Sequence, residues 1–448
     1  MSKNIIGIKK ILLLLALMAL QTVKLSAQHP LLQSGPMPGY SEMLEAMIWV
    51  QTTREAEVYV HYYEQGSKKR AHSTNKVLTS KEEVFTARLI ADSVEPGKRY
   101  EYTLYINNEP VKFSYPTVFQ TQPIWKWRGN PPDFSMLTGS CAYVNQTEHD
   151  RPGRPYGGDY RIFGSMHSHQ ADFMLWLGDN IYLREPDWNS WTGIAARNTH
   201  TRSVVELQPF LASTHHYAIW DDHDFGPNDS DKSFFNKDQT LRAFELFWGN
   251  PTYGTSAMKG AITSFQWGDA DFFLLDNRWY RDPNNLKKDN KTLLGKEQLE
   301  WLLDNLVSST ATFKVVALGN QFLSDAALFE LYSNNGFDAE RQYIIDFIHD
   351  HEIKNVIFIT GDVHFTELSV LRKEQKPSIY DLTFSTLTAG VNTRGGSWNN
   401  TYRIPGTVVT ERNFGKISFS GETGKRKLLV ECFNTDNELK WQYWIEQE

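Results

Sequence analysis

The chain has 448 residues and carries 46 Lys+Arg against 53 Asp+Glu, for a formal net charge of −7. That length supports two or more units with sizeable cores. The charges are interspersed and form no basic patch, which argues against a nucleic-acid-binding module; a phosphorylated ligand would need local cations or arginines against the net negative field.

In chain order, Lys9 and Lys10 precede an apolar run over 11–20, and the small residues Ser26 and Ala27 follow. A span across a bilayer takes ~20 apolar residues. Residues 1–27 are therefore predicted to be a cleavable secretory signal, cut after Ala27, with an uncleaved anchor as the alternative. Export places the mature protein in the periplasm or outside the cell, and no later segment is long and apolar enough to span. Nothing in the sequence sets an oligomeric state.

Residues 28–123 alternate polar and apolar positions at 46–52, 57–63, 83–89, 100–106 and 111–115, with turns at Pro96-Gly97 and Asn107-Asn108. Such alternation predicts antiparallel strands, and the spacing fits an immunoglobulin- or fibronectin-III-like β-sandwich. It is read as a structural or substrate-lip module. A Pro/Trp-rich connector at 122–133 (QPIWKWRGNPPD) marks a boundary, leaving 133–448 as a second domain of α/β texture. There, Leu299, Leu302, Leu303 and Leu306 form one helical stripe, and Tyr343, Ile344, Phe347 and Ile348 another. Long polar, aromatic stretches at 183–215 and 225–263 read as walls or lids of a pocket. Trp188, Trp191 and Phe234 either line that pocket or pack the insertions on the body.

Six short apolar runs in this second domain end abruptly in polar residues: 134–141 (FSMLTGSC), 173–179 (FMLWLGD), 217–224 (YAIWDDHD), 272–278 (FFLLDNR), 315–321 (VVALGNQ) and 356–364 (VIFITGDVH). A continuous apolar run is the mark of a buried strand, and ligands of open α/β sheets sit beyond the carboxyl ends of strands. The pattern predicts one rim that collects the donors of a multi-metal hydrolytic site.

Each run offers a particular chemistry. In GDNIY (178–182), Asp179 can bridge two cations, and Tyr182 can add a phenolate, a hard ligand suited to ferric iron. In WDDHD (220–224), three carboxylates and an imidazole repel one another unless cations sit among them; the alternative is a helix N-cap cluster. Asp222 is the natural second-metal ligand, and His223 is placed to protonate a leaving oxygen. In GDVH (361–364), Asp362 and His364 are two apart, so an extended chain would point both to one face. Cys141 reads as a metal-bound thiolate, with a disulfide to Cys432 as the alternative; Cys432 itself reads as a buried apolar residue. Asn320 and Gln321 can supply amide oxygens. Arg278 can hold a phosphoryl oxygen or make a structural salt bridge. Asn228 either touches the site or forms a turn.

The motifs GSC (139–141), GDNIY (178–182), WDDHDFGPND (220–229), LLDNRWYR (274–281) and GDVH (361–364) occur in the order found in PhoD-like phosphatases. The chain therefore resembles that alkaline phosphatase D branch of the calcineurin-like metallophosphatase superfamily. The resemblance implies a two-layer β-sandwich core flanked by helices, preceded by an immunoglobulin-like domain. It also implies ferric iron (Fe3+) held by Cys141, Asp179, Tyr182 and His364. Asp179 would bridge to calcium (Ca2+), completed by Asp222 and Asp362, with His223 near the leaving group. Zinc or manganese are the alternative metals. The chain departs from the wider superfamily in having GSC for D-x-H, Asp222 where Asn precedes the motif His, Asn320-Gln321 near an expected late histidine, and Asp276-Asn277-Arg278 for D-[TS]-R.

Together these features predict an exported, metal-dependent phosphoesterase acting on a small phosphorylated substrate. The alternatives are a non-catalytic surface or carbohydrate-binding protein and a metallohydrolase of a non-phosphate ester.

Overall fold

In the computed structural model, residues 29–67, 70–326 and 331–448 are described, and the predicted export signal at 1–27 lies outside them. The amino-terminal part contains β1 (Leu32–Ser41), β2 (Ala46–Thr52), β3 (Glu57–Glu64), β4 (His72–Ser73), β5 (Val77–Leu78), β6 (Thr86–Ala91), β7 (Arg99–Ile106), β8 (Glu109–Pro110) and β9 (Val118–Gln120). They form a three-stranded sheet β1-β2-β6 and a second sheet built on the antiparallel pair β3-β7. Four of the five predicted segments contribute strands; the fifth, 111–115, does not. Asn107 and Asn108 both take the left-handed conformation in the tight turn from β7 to β8.

β1 is the strand the sequence hid. Gly35, Pro36, Pro38 and Gly39 read as turn residues, yet the segment pairs with β2 through three irregularities of register. β2 is buried along its whole length because both of its faces are covered. Ala46, Ile48 and Val50 enter a local core with Val58, Val60 and Leu104. Met47 and Trp49 face the other way and join the core of the larger part.

The larger part holds two six-stranded sheets. The first is ordered β12 (His215–Ile219), β11 (Phe173–Leu177), β10 (Phe134–Gly139), β19 (Asn413–Ser420), β20 (Lys427–Asn434), β21 (Leu439–Glu446). The second is ordered β13 (Thr263–Trp267), β14 (Ala270–Leu274), β15 (Phe313–Leu318), β16 (Val356–Thr360), β18 (Ile379–Thr383), β17 (Glu367–Leu371). β10, β11 and β12 are mutually parallel, as are β14, β15, β16 and β18.

Side-chain alternation makes the two sheets a sandwich. Phe173, Leu175 and Leu177 of one sheet and Phe272 and Leu274 of the other point inward to a shared core. Met174 and Trp176 point outward, under Phe163 of α1 (Arg161–Ser168), Phe210 of α3 (Gln208–Ser213) and Phe244 of α5 (Lys237–Phe247). Phe273, Val316 and Phe358 point outward on the opposite side, under α6 (Lys296–Ser308) and α7 (Asp338–Asp350). The remaining helices are α2 (Trp191–Arg202) and the short α4 (Asp222–Phe225). The core is thus a mixed α/β sandwich with helices on both outer faces. The two helical stripes fall in α6 and α7, where Leu302, Leu306, Ile344 and Ile348 are buried; Tyr343 is instead exposed.

Both insertions pack as parts of this scaffold. Stretch 183–215 supplies α2 and α3, and 225–263 supplies α5. Trp188 and Trp191 pack against Ile181, Leu183, Ile194 and Ala243, and Phe234 lies beside Phe225. Of the two roles open to these aromatics, packing is the one the contacts give. Cys141 and Cys432 are both free, so the disulfide alternative is excluded.

Candidate metal centre

Because six strands of like direction end at one edge, their polar termini meet there. The backbone at that edge is unusual. Cys141, Asp179, Asp362 and His364 all have positive φ, of 63°, 51°, 70° and 61°. Non-glycine residues rarely adopt this conformation, and where they cluster they are held by their surroundings, commonly at functional sites. It corrects one sequence expectation: the chain at 361–364 is a turn, so the two-residue alternation that would align Asp362 with His364 does not apply. Gly178 before Asp179 has φ 89°, and a Cβ there would sit 2.7 Å from the Asp221 Cβ.

Donor atoms of Cys141, Asp179 and His364 lie within 4.8 Å of one another, and so do those of Asp179, Asp222 and His223. Asp179 is common to both groups. Its Oδ2 is 3.7 Å from the Cys141 Sγ, and its Oδ1 accepts the His223 backbone N–H at 3.3 Å. Tyr182 OH is 3.3 Å from His364 Nε2, and its ring lies over His223 with centroids 4.2 Å apart. Ser385 Oγ donates to the Cys141 thiol at 3.2 Å. Asp362 turns its backbone carbonyl to the same thiol at 3.5 Å. Its carboxylate acts electrostatically on Cys141 and His364 but is not among the converging donors.

The DDHD segment divides its labour. Asp221 precedes α4, and its backbone N–H donates to Asp224 Oδ2 at 3.0 Å, so these two acids build the helix start. Asp222 and His223, between them, face the cluster. The N-cap reading of this segment holds for Asp221 and Asp224, while Asp222 and His223 belong to a group of converging donors.

The electrostatics suit a site for cations. Burial, then Asp222 and Cys141, pushes the Asp179 carboxyl well above its ordinary range. Burial pushes the Cys141 thiol up to about 12 and the Tyr182 phenol upward as well. Asp222 is the exception: burial opposes its charge, but His223, Arg278 and the Asp229 amide, which donates to it at 2.7 Å, hold it below the usual carboxylate range. A thiol, a phenol, a carboxyl and an imidazole that are buried together and reluctant to ionise form a donor set suited to cations, which bind each of them in its deprotonated form.

The other predicted residues lie around this cluster. Arg278 is fully buried and paired with Asp221, and its Nη2 is 4.0 Å from Asp222 Oδ1, so its contacts are those of the salt-bridge reading. Asn320 Oδ1 accepts from Asn277 at 2.7 Å and Arg281 at 3.3 Å, and Gln321 donates to Glu367 and Thr383 at 2.9 Å. Asn228 is exposed in the loop after α4.

Three further contributors are Gly390 and Tyr156, which come from loops, and Ser385, which stands two residues past the end of β18 and bridges in parallel to Ser140. Gly390 supplies the carbonyl oxygen that accepts from His364 Nδ1. A Cβ on Gly390 would lie 2.6 Å from the Tyr156 ring, so the residue must be small for that ring to approach. Tyr156 OH sits 3.3 Å from the same Nδ1, in a loop between β10 and α1.

A family profile, PhoD-like phosphatase, matches residues 136–397, and a second, Domain of unknown function (DUF7800), matches 29–124. The chain is 29% identical over 354 residues to Alkaline phosphatase D of Bacillus subtilis (strain 168), covering 67% of this chain and 58% of that protein. It therefore spans less than two thirds of that relative's length. A solved structure of PhoD superposes with a TM-score of 0.77 at 19% identity, covering 94% of this chain and 91% of the other. Purple acid phosphatase PPD1 from yellow lupin (Lupinus luteus) seeds superposes with a TM-score of 0.65 at 12% identity, covering 92% and 74%.

Proposed function

Because the chain belongs to the PhoD-like phosphatase family, we propose that it is an exported, metal-dependent phosphoesterase that hydrolyses small phosphomonoesters or phosphodiesters. The observation that carries the proposal is the convergence of Cys141, Asp179, His364, Asp222 and His223 on two donor groups that share Asp179. The same convergence stands against a surface-binding or carbohydrate-binding role, which has no use for such a cluster.

By the chemistry of the donors, Cys141, Asp179, Tyr182 and His364 would hold ferric iron, and Asp179 and Asp222 would hold calcium; the Asp362 carboxylate, outside the two donor groups, adds its charge beside Cys141 and His364. Zinc or manganese are the alternatives. Bound cations supply positive charge for the phosphoryl oxygens and lower the pKa of an attacking water. The chain's own residues do the rest. Gly390 fixes the His364 ring by taking its Nδ1 hydrogen, which leaves Nε2 toward Tyr182 and the cluster. His223, beside Asp222, holds the proton that the departing alkoxide takes as the phosphorus–oxygen bond breaks. Arg278 acts at one remove, positioning Asp221 and Asp222 rather than touching substrate.

Residues 1–27 serve as the export signal in this reading, which delivers the protein to the periplasm or beyond. Residues 28–123 form an immunoglobulin- or fibronectin-III-like unit ahead of the catalytic unit at 133–448. The test is elemental analysis and visible absorption of protein purified without added metal, followed by a screen of phosphomonoesters and phosphodiesters. Iron with a broad phenolate-to-iron band, calcium, and turnover of an ester are the expected results. Zinc or manganese without colour would remove the roles given to Cys141 and Tyr182, and no metal with no turnover would remove the proposal.

A further inference from the structure

Tyr156 stands at the mouth of the centre, 46% exposed, on the loop joining β10 to α1. Its ring packs edge-on against Tyr143 at 4.9 Å and against Tyr182 at 6.3 Å. Gly390 lets it come close on the other side. These contacts aim the hydroxyl inward: it lies 3.3 Å from His364 Nδ1 and acts electrostatically on Cys141 and Asp179. The phenol therefore reaches the ligand cluster while part of the side chain stays open to solvent.

The hydrogen-bond stereochemistry leaves its proton unused. A carbonyl oxygen only accepts, so the contact between His364 Nδ1 and Gly390 O puts the imidazole hydrogen on Nδ1. That nitrogen then has no lone pair to offer Tyr156. The Tyr156 oxygen can accept a share of the Nδ1 hydrogen, but its own O–H has no acceptor among the described residues. A donor aimed into an anion-binding centre and open to solvent on its other edge is poised for a ligand oxygen.

We propose that Tyr156 is a substrate-contacting residue that donates a hydrogen bond to a phosphoryl oxygen bound at the centre. The inference rests on the phosphoesterase reading and adds a residue and a contact to it. The partner is any tetrahedral oxyanion with a free oxygen on the loop side: the ester's phosphoryl group before reaction and inorganic phosphate after it.

Tyr156→Phe keeps the ring and its packing and removes only the donor. Hydrogen bonds to charged acceptors are among the stronger ones, so kcat/KM for the best ester should fall by about tenfold or more. The inhibition constant of inorganic phosphate should rise by a similar factor, with metal content and the visible spectrum unchanged. Unchanged kcat/KM and unchanged phosphate inhibition would overturn the proposal. A loss of metal in step with the loss of activity would also overturn it, because Tyr156 would then act through His364. If the unaltered protein turns over no ester, the phosphoesterase reading falls. Calorimetric binding of inorganic phosphate to the two proteins then still decides the contact: weaker binding by Tyr156→Phe supports it, and equal or absent binding overturns it.

Discussion

The amino-terminal sheets and the helix-flanked sandwich are both built from short buried strands, yet only one of them assembles a chemical site. In the amino-terminal part the strands pair antiparallel, so successive strand ends fall on opposite edges and their polar residues are dispersed. In the sandwich the strands β10, β11, β12, β14, β15 and β16 each pair in parallel within their sheets, and their carboxyl ends bring Cys141, Asp179, Asp222 and His364 to one edge. The use of left-handed backbone differs in the same way. Asn107 and Asn108 adopt it to turn a hairpin, whereas Asp179 and His364 adopt it at the rim, among the converging donors. Strand direction, more than strand composition, separates a scaffold from a site.

The sharpest break of that contrast is at the shared carboxylate. Asp179→Asn should lower kcat by ~10³-fold or more and strip bound metal, because both donor groups depend on it. In metal-free protein the same change should raise the unfolding midpoint. Burial and the neighbouring charges already push that carboxyl toward its neutral form, and an amide can keep the contact with the His223 N–H. Activity assay, elemental analysis and thermal melts with and without chelator check the three parts. Full activity with full metal content would dismiss Asp179 as the bridge.

Next in size is an ion pair from each region. Arg278 and Asp221 are 0% and 1% exposed, and removing one partner of such a pair strands a buried charge. Arg278→Ala should destabilise the protein by about 3–5 kcal/mol in urea denaturation. Lys76 and Glu57, on the amino-terminal sheet, are 52% and 37% exposed, and Lys76→Ala should leave the urea midpoint within error. Equal midpoints for the two variants would contradict the burial argument.

Much of this layout was legible in the residues. Apolar runs too short for helices and bounded by Gly, Asp or Asn located all six rim strands, and the leucine stripe located α6. The donors Cys141, Asp179, Tyr182, Asp222, His223 and His364 follow from standing at or just beyond those strand ends. What escaped has identifiable physical causes. Tyr156 and Gly390 come from irregular segments with no periodicity, and only the closed sandwich brings them near His364; Ser385 follows β18, a strand outside the six apolar runs. The role of Asp221, which pairs with Arg278 and precedes α4, follows from the closed structure rather than from its place in the DDHD segment. β1 reads as no element because its Gly and Pro residues break the alternation, and they serve a bulged strand whose neighbours supply the burial.

The joint between the two regions gives a smaller, pH-dependent effect. His215, at the start of β12, places its ring between Gly39 O at 2.7 Å and the Gln120 N–H at 3.1 Å, so it ties β1 and β9 to the sandwich as a neutral ring. Burial lowers its pKa to about 4, and that of His216 to about 3. An unfolded histidine titrates near 6.5, so the unfolded chain takes up these protons first. Stability is therefore full above about pH 6.5 and declines as the pH falls toward 4, with His215 contributing up to about 3 kcal/mol. Urea midpoints of His215→Gln across this window should show a shallower pH slope than those of the unaltered protein. Equal slopes would mean that the joint does not sense the proton.

The smallest effect separates two side chains of one kind. Cys141 and Cys432 are both fully buried and both free, so composition and exposure do not distinguish them. Cys432 lies in β20 among Val430, Leu428 and Ile417, and its Sγ meets an amide oxygen, Asn413 Oδ1, at 3.6 Å. Removing that sulfur leaves a small void, so Cys432→Ala should cost about 1 kcal/mol of stability and leave metal content and turnover unchanged. Cys141 lies just past the end of a parallel strand, with a carboxylate and a hydroxyl on its sulfur. The same truncation there should remove the thiol donor, lower the metal content and shift any visible band. If both variants lost only stability, the rim would be no more than another well-packed edge; if both lost metal, the effect would travel through the core rather than arise at the strand end.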